Sequence, residues 1–120
     1  MDATLNIPVQ AGLLELVSVL GEPAAIVSAA LRQYVVDRCL QRIDEAERKN
    51  AFYVQQYAVD YEAFSKRVAT DPVYLAGLNR ENPLWEADAI EWALRLEEAE
   101  AWRDRLQQAL RTSFPSPVTA

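Results

Sequence analysis

Apolar residues recur every three or four positions along most of this chain, which places them on one face of an α-helix. A first helix is expected to end near Leu20, because glycine, here Gly21, commonly follows a helix end. A second helix is expected from Pro23 to about residue 56. Proline is tolerated in a first turn, because the backbone N–H that it lacks would have no partner within the helix there. Neither glycine nor proline interrupts the chain between Pro23 and Pro72. The pattern therefore predicts a mainly α fold.

Further helix starts are marked by side chains that can cap a helix. Asp60, Asp71 and Asn82 are of this type, and the last two stand directly before a proline. Gly77 predicts the end of the short helix that begins after Asp71. The last helix is expected to run from about residue 83 to residue 111.

This long last helix carries one apolar stripe that includes all three tryptophans. Its members are Trp85, Ala89, Trp92, Leu96, Ala99, Trp102, Leu106 and Ala109. Such a stripe is either internal core or a surface for another protein. Because nearly 30 residues of helix span about 40 Å, the stripe is longer than a small core covers. Part of it is therefore predicted to bind a partner, through Trp85, Trp92, Leu96 and Trp102.

The first residues depart from the helical pattern. Residues 4–7 alternate polar and apolar side chains, as a half-buried β-strand does, and Pro8 ends the pairing. A single strand leaves its backbone groups unpaired, and no later segment is suited to pair with it. We therefore expect a homodimer in which this strand pairs with its copy. The residues predicted in the dimer contact are Leu5, Ile7, Leu31 and Tyr34.

Composition argues against catalysis and against metal sites. The 120 residues include no histidine and only three glycines, so the commonest general base, the commonest transition-metal ligand and a glycine-rich phosphate loop are missing. We predict no enzyme activity, no cofactor, no metal and no small-molecule substrate. The net charge of −6 argues against general nucleic-acid binding. The lack of a long apolar run and the single Cys39, expected in the core, predict a cytoplasmic protein without a membrane segment.

The N-terminal third resembles the ribbon-helix-helix family of bacterial and archaeal repressors and antitoxins. The resemblance rests on residues 4–8, the apolar helix after them, Gly21, and the stretch 25–35, which reads A-I-V-S-A-A-L-R-Q-Y-V. The second helix of that family often reads E-x-I-R-E-A-L-R-E-Y-L. Two such chains pair their first strands into a ribbon that enters the DNA major groove. The resemblance implies that Thr4 and Asn6 bind operator DNA. The binding is expected to be weak, because that family usually offers Arg, Lys or Gln from its strand, and Glu22 stands where Ser or Thr usually holds a phosphate.

A second resemblance lies downstream, in residues 57–64, which read Y-A-V-D-Y-E-A-F. They look like the K-Y-G-M-S-F-E-E-F stretch of small prokaryotic antitoxins, where an acidic W-E-x-D-x-x-E-W helix follows. Residues 85–92 here read W-E-A-D-A-I-E-W. Together the two resemblances imply a type II antitoxin of a toxin–antitoxin module. Its N-terminal dimer would repress its own operon, and its C-terminal helices would neutralise a cognate toxin.

The expected organisation has three parts. Residues 1–36 form a ribbon-helix-helix dimerisation domain, residues 37–112 form a helical partner-binding extension, and residues 113–120 form a flexible tail. The alternative to an antitoxin is a non-enzymatic helical scaffold dimer that binds other proteins and has lost its DNA contacts. A small toxin-like gene beside this one would distinguish the two.

Overall fold

The computed structural model describes residues 4–112 and contains five helices in that range. They are α1 (Ala11–Leu20), α2 (Pro23–Tyr57), α3 (Tyr61–Thr70), α4 (Pro72–Glu81) and α5 (Trp85–Arg111). The mainly α fold is confirmed. The predicted tail at residues 113–120 lies outside the described residues.

The predicted ribbon is wrong, because the described residues contain no β-strand. Residues 4–10 form no regular secondary structure and are exposed along their whole length, Leu5 to 81%. Four alternating residues before a proline are a weak signal, and a strand needs a neighbouring segment to pair with. The ribbon-helix-helix identification fails with the strand on which it depended. Moreover, α2 continues unbroken through residues 36 and 37, where a domain boundary was predicted.

The body of the molecule is an antiparallel pair formed by α2 and α5. Tyr53, near the end of α2, donates a hydrogen bond to Glu91 near the start of α5. About six turns earlier in α2, the guanidinium of Arg32 donates to the carbonyls of Ala109 and Leu110, both at 3.0 Å. Arg32 thus satisfies carbonyls that lack partners within α5. It also ties the C-terminal end of α5 to one position along α2.

The facing residues of the two helices repeat in steps of three and four, the spacing of an antiparallel seam. The buried positions of α2 are Cys39, Ile43, Ala46, Tyr53 and Tyr57. Every member of the predicted α5 stripe is buried or half-buried. The stripe therefore faces the interior of the body along its whole length. Small residues at Ala46 and Ala99 allow the two helices to approach closely.

Four helices meet around Trp92, which is completely buried at 0% exposure. Its indole nitrogen donates to the side-chain oxygen of Asn50 at 2.7 Å. Its ring stacks on Tyr53 and Tyr57 with centroids 5.6 and 5.9 Å apart, and Phe64 from α3 lies at 5.4 Å. Leu78 of α4 completes this aromatic core.

Two of the predicted caps are confirmed. The carboxylate of Asp60 accepts a hydrogen bond from the backbone amide of Ala63 at 2.8 Å, at the start of α3. The carboxylate of Asp71 accepts from the amides of Val73 and Tyr74, both at 3.1 Å, at the start of α4. These caps satisfy amides that have no partner within their own helices.

Two other predicted boundaries are wrong. Asn82 does not cap α5, because its amide donates to the hydroxyl of Tyr57 at 2.9 Å, and α5 begins only at Trp85. The side chain of Asn82, which the sequence pattern predicts at the helix start, is thus engaged by the part-buried hydroxyl of Tyr57. Gly77 does not end α4, which continues to Glu81. A glycine inside a helix costs stability but does not by itself stop the helix.

The turn after α2 depends on a residue in the left-handed region. Ala58 has φ 59° and ψ 20°, a conformation that glycine adopts far more easily at this position. We expect Ala58→Gly to raise the free energy of unfolding by about 0.5–1 kcal/mol, because the clash of its Cβ disappears. Urea denaturation followed by circular dichroism measures this change. The matched control is Ala51→Gly in exposed helical backbone of α2, expected to lower it by about 1 kcal/mol. Equal destabilisation by both changes would contradict the prediction.

The aromatic core makes a second prediction about stability. Trp92→Ala should lower the free energy of unfolding by about 3–5 kcal/mol, because it leaves a large cavity and an unpaired Asn50. Ile90→Ala is the control on the same helix, since Ile90 is 73% exposed, and it should change stability by less than about 0.5 kcal/mol. Chemical denaturation of the two variants beside the wild type tests this. A wild-type midpoint for Trp92→Ala would show that the body does not depend on this residue.

Candidate interaction surface

The N-terminal arm, residues 4–35, exposes an unusual amount of apolar surface. Twelve of the nineteen large exposed apolar side chains of the described residues lie in it. They are Leu5, Ile7, Val9, Leu13, Leu14, Leu16, Val19, Leu20, Val27, Leu31, Tyr34 and Val35. The arm has three charged residues, whereas 26 of the 77 residues from 36 to 112 are charged. Soluble monomers rarely expose large contiguous apolar patches, so the arm is the main candidate for a binding surface.

Within the arm, α1 is apolar on nearly all sides. Its polar residues are Glu15 and Ser18, and the Ser18 hydroxyl donates back to the carbonyl of Leu14 at 2.8 Å. A helix that is apolar all round is normally buried, yet α1 has no buried residue and only Val17 is half-buried. Val19, at 84%, is almost fully exposed. The fold of the single chain therefore leaves α1 uncovered.

The bend between α1 and α2 determines how α1 projects. Gly21 has φ 156° and ψ −162°, a region that other residues rarely adopt, and a Cβ there would lie 3.2 Å from the Cδ1 of Ile26. The carboxylate of Glu22 accepts the amide of Ala25 at 2.8 Å, and Pro23 occupies the first turn of α2. No single helix of the described residues is long and apolar enough to span a membrane; α1 and α2 meet that test only as a pair bent by 93°.

The molecule is elongated, and α2, with 35 residues and a length of about 52 Å, accounts for much of its length. The molecule measures 68 × 32 × 22 Å and has a radius of gyration of 22.7 Å, whereas a compact domain of this length has about 14 Å. It exposes 9499 Å², and a compact monomer of the same mass exposes about 6,500 Å². The difference is several times the area, about 800 Å² per partner, that a standard protein interface covers.

The residues predicted for dimerisation and DNA binding all lie on this arm. Leu5, Ile7, Leu31 and Tyr34 are exposed, so they belong to the candidate surface, although no strand holds the first two. Their role in a dimer stays a prediction. Thr4 and Asn6 are exposed in the irregular segment before α1. The ribbon that would carry them into a groove is absent from the described residues, and their contact with DNA stays a prediction. Arg32 is the only base of the arm.

The residues predicted to bind a partner are mostly internal. Trp92 has no exposed surface and serves the aromatic core. Leu96 and Trp85 pack against that core, and the Trp85 indole donates to Asn79 at 2.7 Å. Trp102 is half-buried, with the Arg105 guanidinium 4.4 Å from its ring centre. Most of the exposed large apolar side chains of the described residues thus lie on the N-terminal arm and not on the predicted stripe of α5.

A tyrosine–carboxylate cluster on the body holds the groups with shifted pKa values. Burial, with the hydrogen bond to Glu91 at 2.8 Å, raises the pKa of Tyr53 to about 12. Burial and the hydrogen bond to Asp88 raise the pKa of Tyr57 as well. The bond from Tyr53, together with Lys49, lowers the pKa of Glu91. Each shift leads away from neutrality, whereas a general acid or base needs a pKa near the working pH.

A charged groove beside this cluster is occupied by its own ion pairs. Arg95 contacts Glu98 at 2.8 Å and Glu91 at 3.6 Å, and Lys49 lies 3.5 Å from Glu91. The bond to Glu98 raises the pKa of Arg95. The described residues contain no group of three or more histidine, cysteine, aspartate or glutamate side chains placed to hold a metal ion. Of these ion pairs, Lys49–Glu91 joins α2 to α5, whereas both contacts of Arg95 lie within α5.

Comparison with known proteins does not assign the chain to a group: no family model, no curated protein and no solved structure matches it. The ribbon-helix-helix resemblance thus lacks both the strand and a matching family. The uncovered arm is the feature of the described residues that calls for a functional explanation.

The tyrosine cluster generates a prediction about alkaline stability. Because the folded-state pKa of Tyr53 is raised, its contribution is fully present below the ordinary value of 10.0 and is lost as the pH rises through about 12. We expect the wild type to lose stability from pH 10 to 12, and Tyr53→Phe to lose less over that interval. Urea denaturation at a series of pH values measures this. Ile90→Ala, which alters an exposed residue outside both the cluster and the arm, should keep the wild-type profile; parallel profiles for all three proteins would refute the assignment.

Proposed function

We propose that this protein is a non-enzymatic helical protein-interaction module. The N-terminal arm is its binding surface, and the α2–α5 pair is the rigid body that presents it. The observation that carries the proposal is the twelve exposed large apolar side chains on an arm that has three charges. Covering such a surface is favourable, because burial of apolar area is the dominant driving force of most protein association.

The size of the effect supports binding rather than an incidental patch. At about 25 cal/mol per Å², covering 800 Å² of apolar surface is worth on the order of 20 kcal/mol before costs. Loss of rotational and translational freedom costs about 4–15 kcal/mol. A surface of this kind can therefore support stable association even if part of the apolar area stays exposed.

The non-enzymatic part of the proposal rests on the chemistry of the body. The chain has no histidine, and the shifted tyrosine and glutamate pKa values lie further from neutrality than usual. These groups are engaged in hydrogen bonds between α2 and α5. Such bonds explain their environments without a substrate.

Neutralisation of a toxin stays a prediction from the sequence, as does a cytoplasmic location. The tryptophan stripe that suggested toxin binding is engaged with α2. A toxin would have to use the arm or the half-buried Trp85 and Trp102. No feature of the described residues favours a toxin over another protein partner.

The proposal predicts that the arm determines the size of the complex that the protein forms in its natural cells. The double variant Leu16→Glu with Leu20→Glu places two charges on α1 and should shift the tagged protein from a larger species to the monomer on size-exclusion chromatography of the extract. Charges in a desolvated contact are costly, so the loss should be nearly complete. The control, Ile90→Glu, alters an exposed apolar residue outside the arm and should keep the wild-type elution. Identical elution of wild type and both variants would contradict the proposal.

A further inference from the structure

We infer that the arm binds a second copy of this chain, so that α1 of each protomer lies along the exposed first turns of α2 of the other. This inference rests on the proposed function of the arm and names its partner. Two apolar elements of one chain would thereby cover each other across a twofold axis. Both elements, their lengths and the bend between them are features of the described residues.

The first turns of α2 extend beyond the body. Arg32 contacts the carbonyls at the end of α5, and α2 begins nine residues earlier, at Pro23. The overhang of residues 23–31 is therefore about 13 Å long, and no part of α5 runs beside it. With ten residues, α1 is about 15 Å long. A partner's α1 matches the overhang in length.

An apolar stripe that faces solvent begins on the overhang and continues just past Arg32. Val27, Leu31 and Tyr34 are spaced four and three residues apart, so they lie on one face of α2, and all three are exposed. The stripe continues into a largely apolar groove of about 470 Å³ between α2 and α5, whose lining includes Val35 and Trp102. A stripe of this spacing is what a second helix packs against.

The matching face of α1 is formed by Leu13, Leu16 and Leu20, spaced three and four residues apart and all exposed. In the single chain this face does not lie on the overhang, because α1 and α2 meet at 93° and all three leucines stay exposed. A second copy can. In a twofold arrangement each protomer offers one α1 and one overhang, so the contact is made twice and both helices are covered.

The charges of the arm favour a copy over other occupants. The arm has Glu15, Glu22 and Arg32 as its charged residues. An anionic lipid surface attracts segments with several bases, and this arm has one. A protein selected through complementary charge would need a charged rim on the arm. An apolar face that binds its own copy needs neither a cluster of bases nor a charged rim. The chain also exposes more area than a standard dimer interface requires.

Site-directed cross-linking of the full chain tests this arrangement. Cys39 is the only cysteine, so Cys39→Ala provides a background without thiols. One chain with Leu16→Cys and a second, differently tagged chain with Val27→Cys are refolded together and oxidised mildly. We expect a disulfide-linked heterodimer at a yield at least about tenfold above that of a control pair, Ile90→Cys with Val27→Cys. Ile90 is exposed on α5, outside the proposed contact.

Light scattering of the purified wild type gives the second measurement. We expect twice the chain mass of 13.5 kDa, and Leu16→Glu should raise the dimer dissociation constant by at least about tenfold. Circular dichroism of the same variant should report an intact body, because α1 contributes no buried residue to it.

Three results would overturn the inference. A monomeric wild type would do so, as would a dimer in which the Leu16→Cys and Val27→Cys pair links no better than the control. Monomers that sediment with phosphatidylserine vesicles would assign the arm to a membrane surface. If the purified chain is monomeric but the complex in cell extracts still depends on Leu16 and Leu20, the proposed function stands with a different partner. If the complex in extracts is also independent of the arm, both fail.

Discussion

The stacking of Trp92 on the tyrosines of α2 is the interaction on which the rest of the body depends. It joins the middle of the chain to the last helix, and Phe64 and Leu78 bring α3 and α4 to the same point. The ring is fully buried and its single donor is satisfied by Asn50. From this cluster the seam of α2 and α5 continues through Ala46, Ile43 and Cys39 of α2 to the Arg32 contact at its other end.

The long helices could be predicted from the sequence because their signals are local and repeated. The stripe of α5 extends over seven turns, and the caps at Asp60 and Asp71 are chemical features of single side chains. Which way the stripe faces is not a local property. It depends on whether another segment with matching spacing exists, and α2 supplies that segment at sequence separations from 31 to 78 residues. The short alternation at residues 4–7 has no such support, and the predicted strand does not form.

The arm can be recognised in the sequence by a different criterion. Helical spacing predicts an apolar stripe on α1, but Val19 adds an apolar side chain outside it, so that Glu15 and Ser18 are its only polar residues. A helix apolar all round beside a helix with one apolar stripe indicates more apolar surface than a single core can use. That imbalance is visible in the composition of residues 4–35 alone. The bend at Gly21, which turns the excess outward, is a property of backbone geometry that composition does not reveal.

Folding and association are assigned to different parts of this chain, and the separation has a physical basis. The buried residues of α2 begin at Cys39, and the arm supplies none of them. The body keeps its core, its cap at Arg32 and its tyrosine hydrogen bonds whether or not the arm is covered. The apolar area of the arm is therefore not needed to fold the body and remains available for binding. A chain built this way can change what it binds through substitutions at the exposed apolar positions of the arm, while its stability is determined by the buried residues that begin at Cys39.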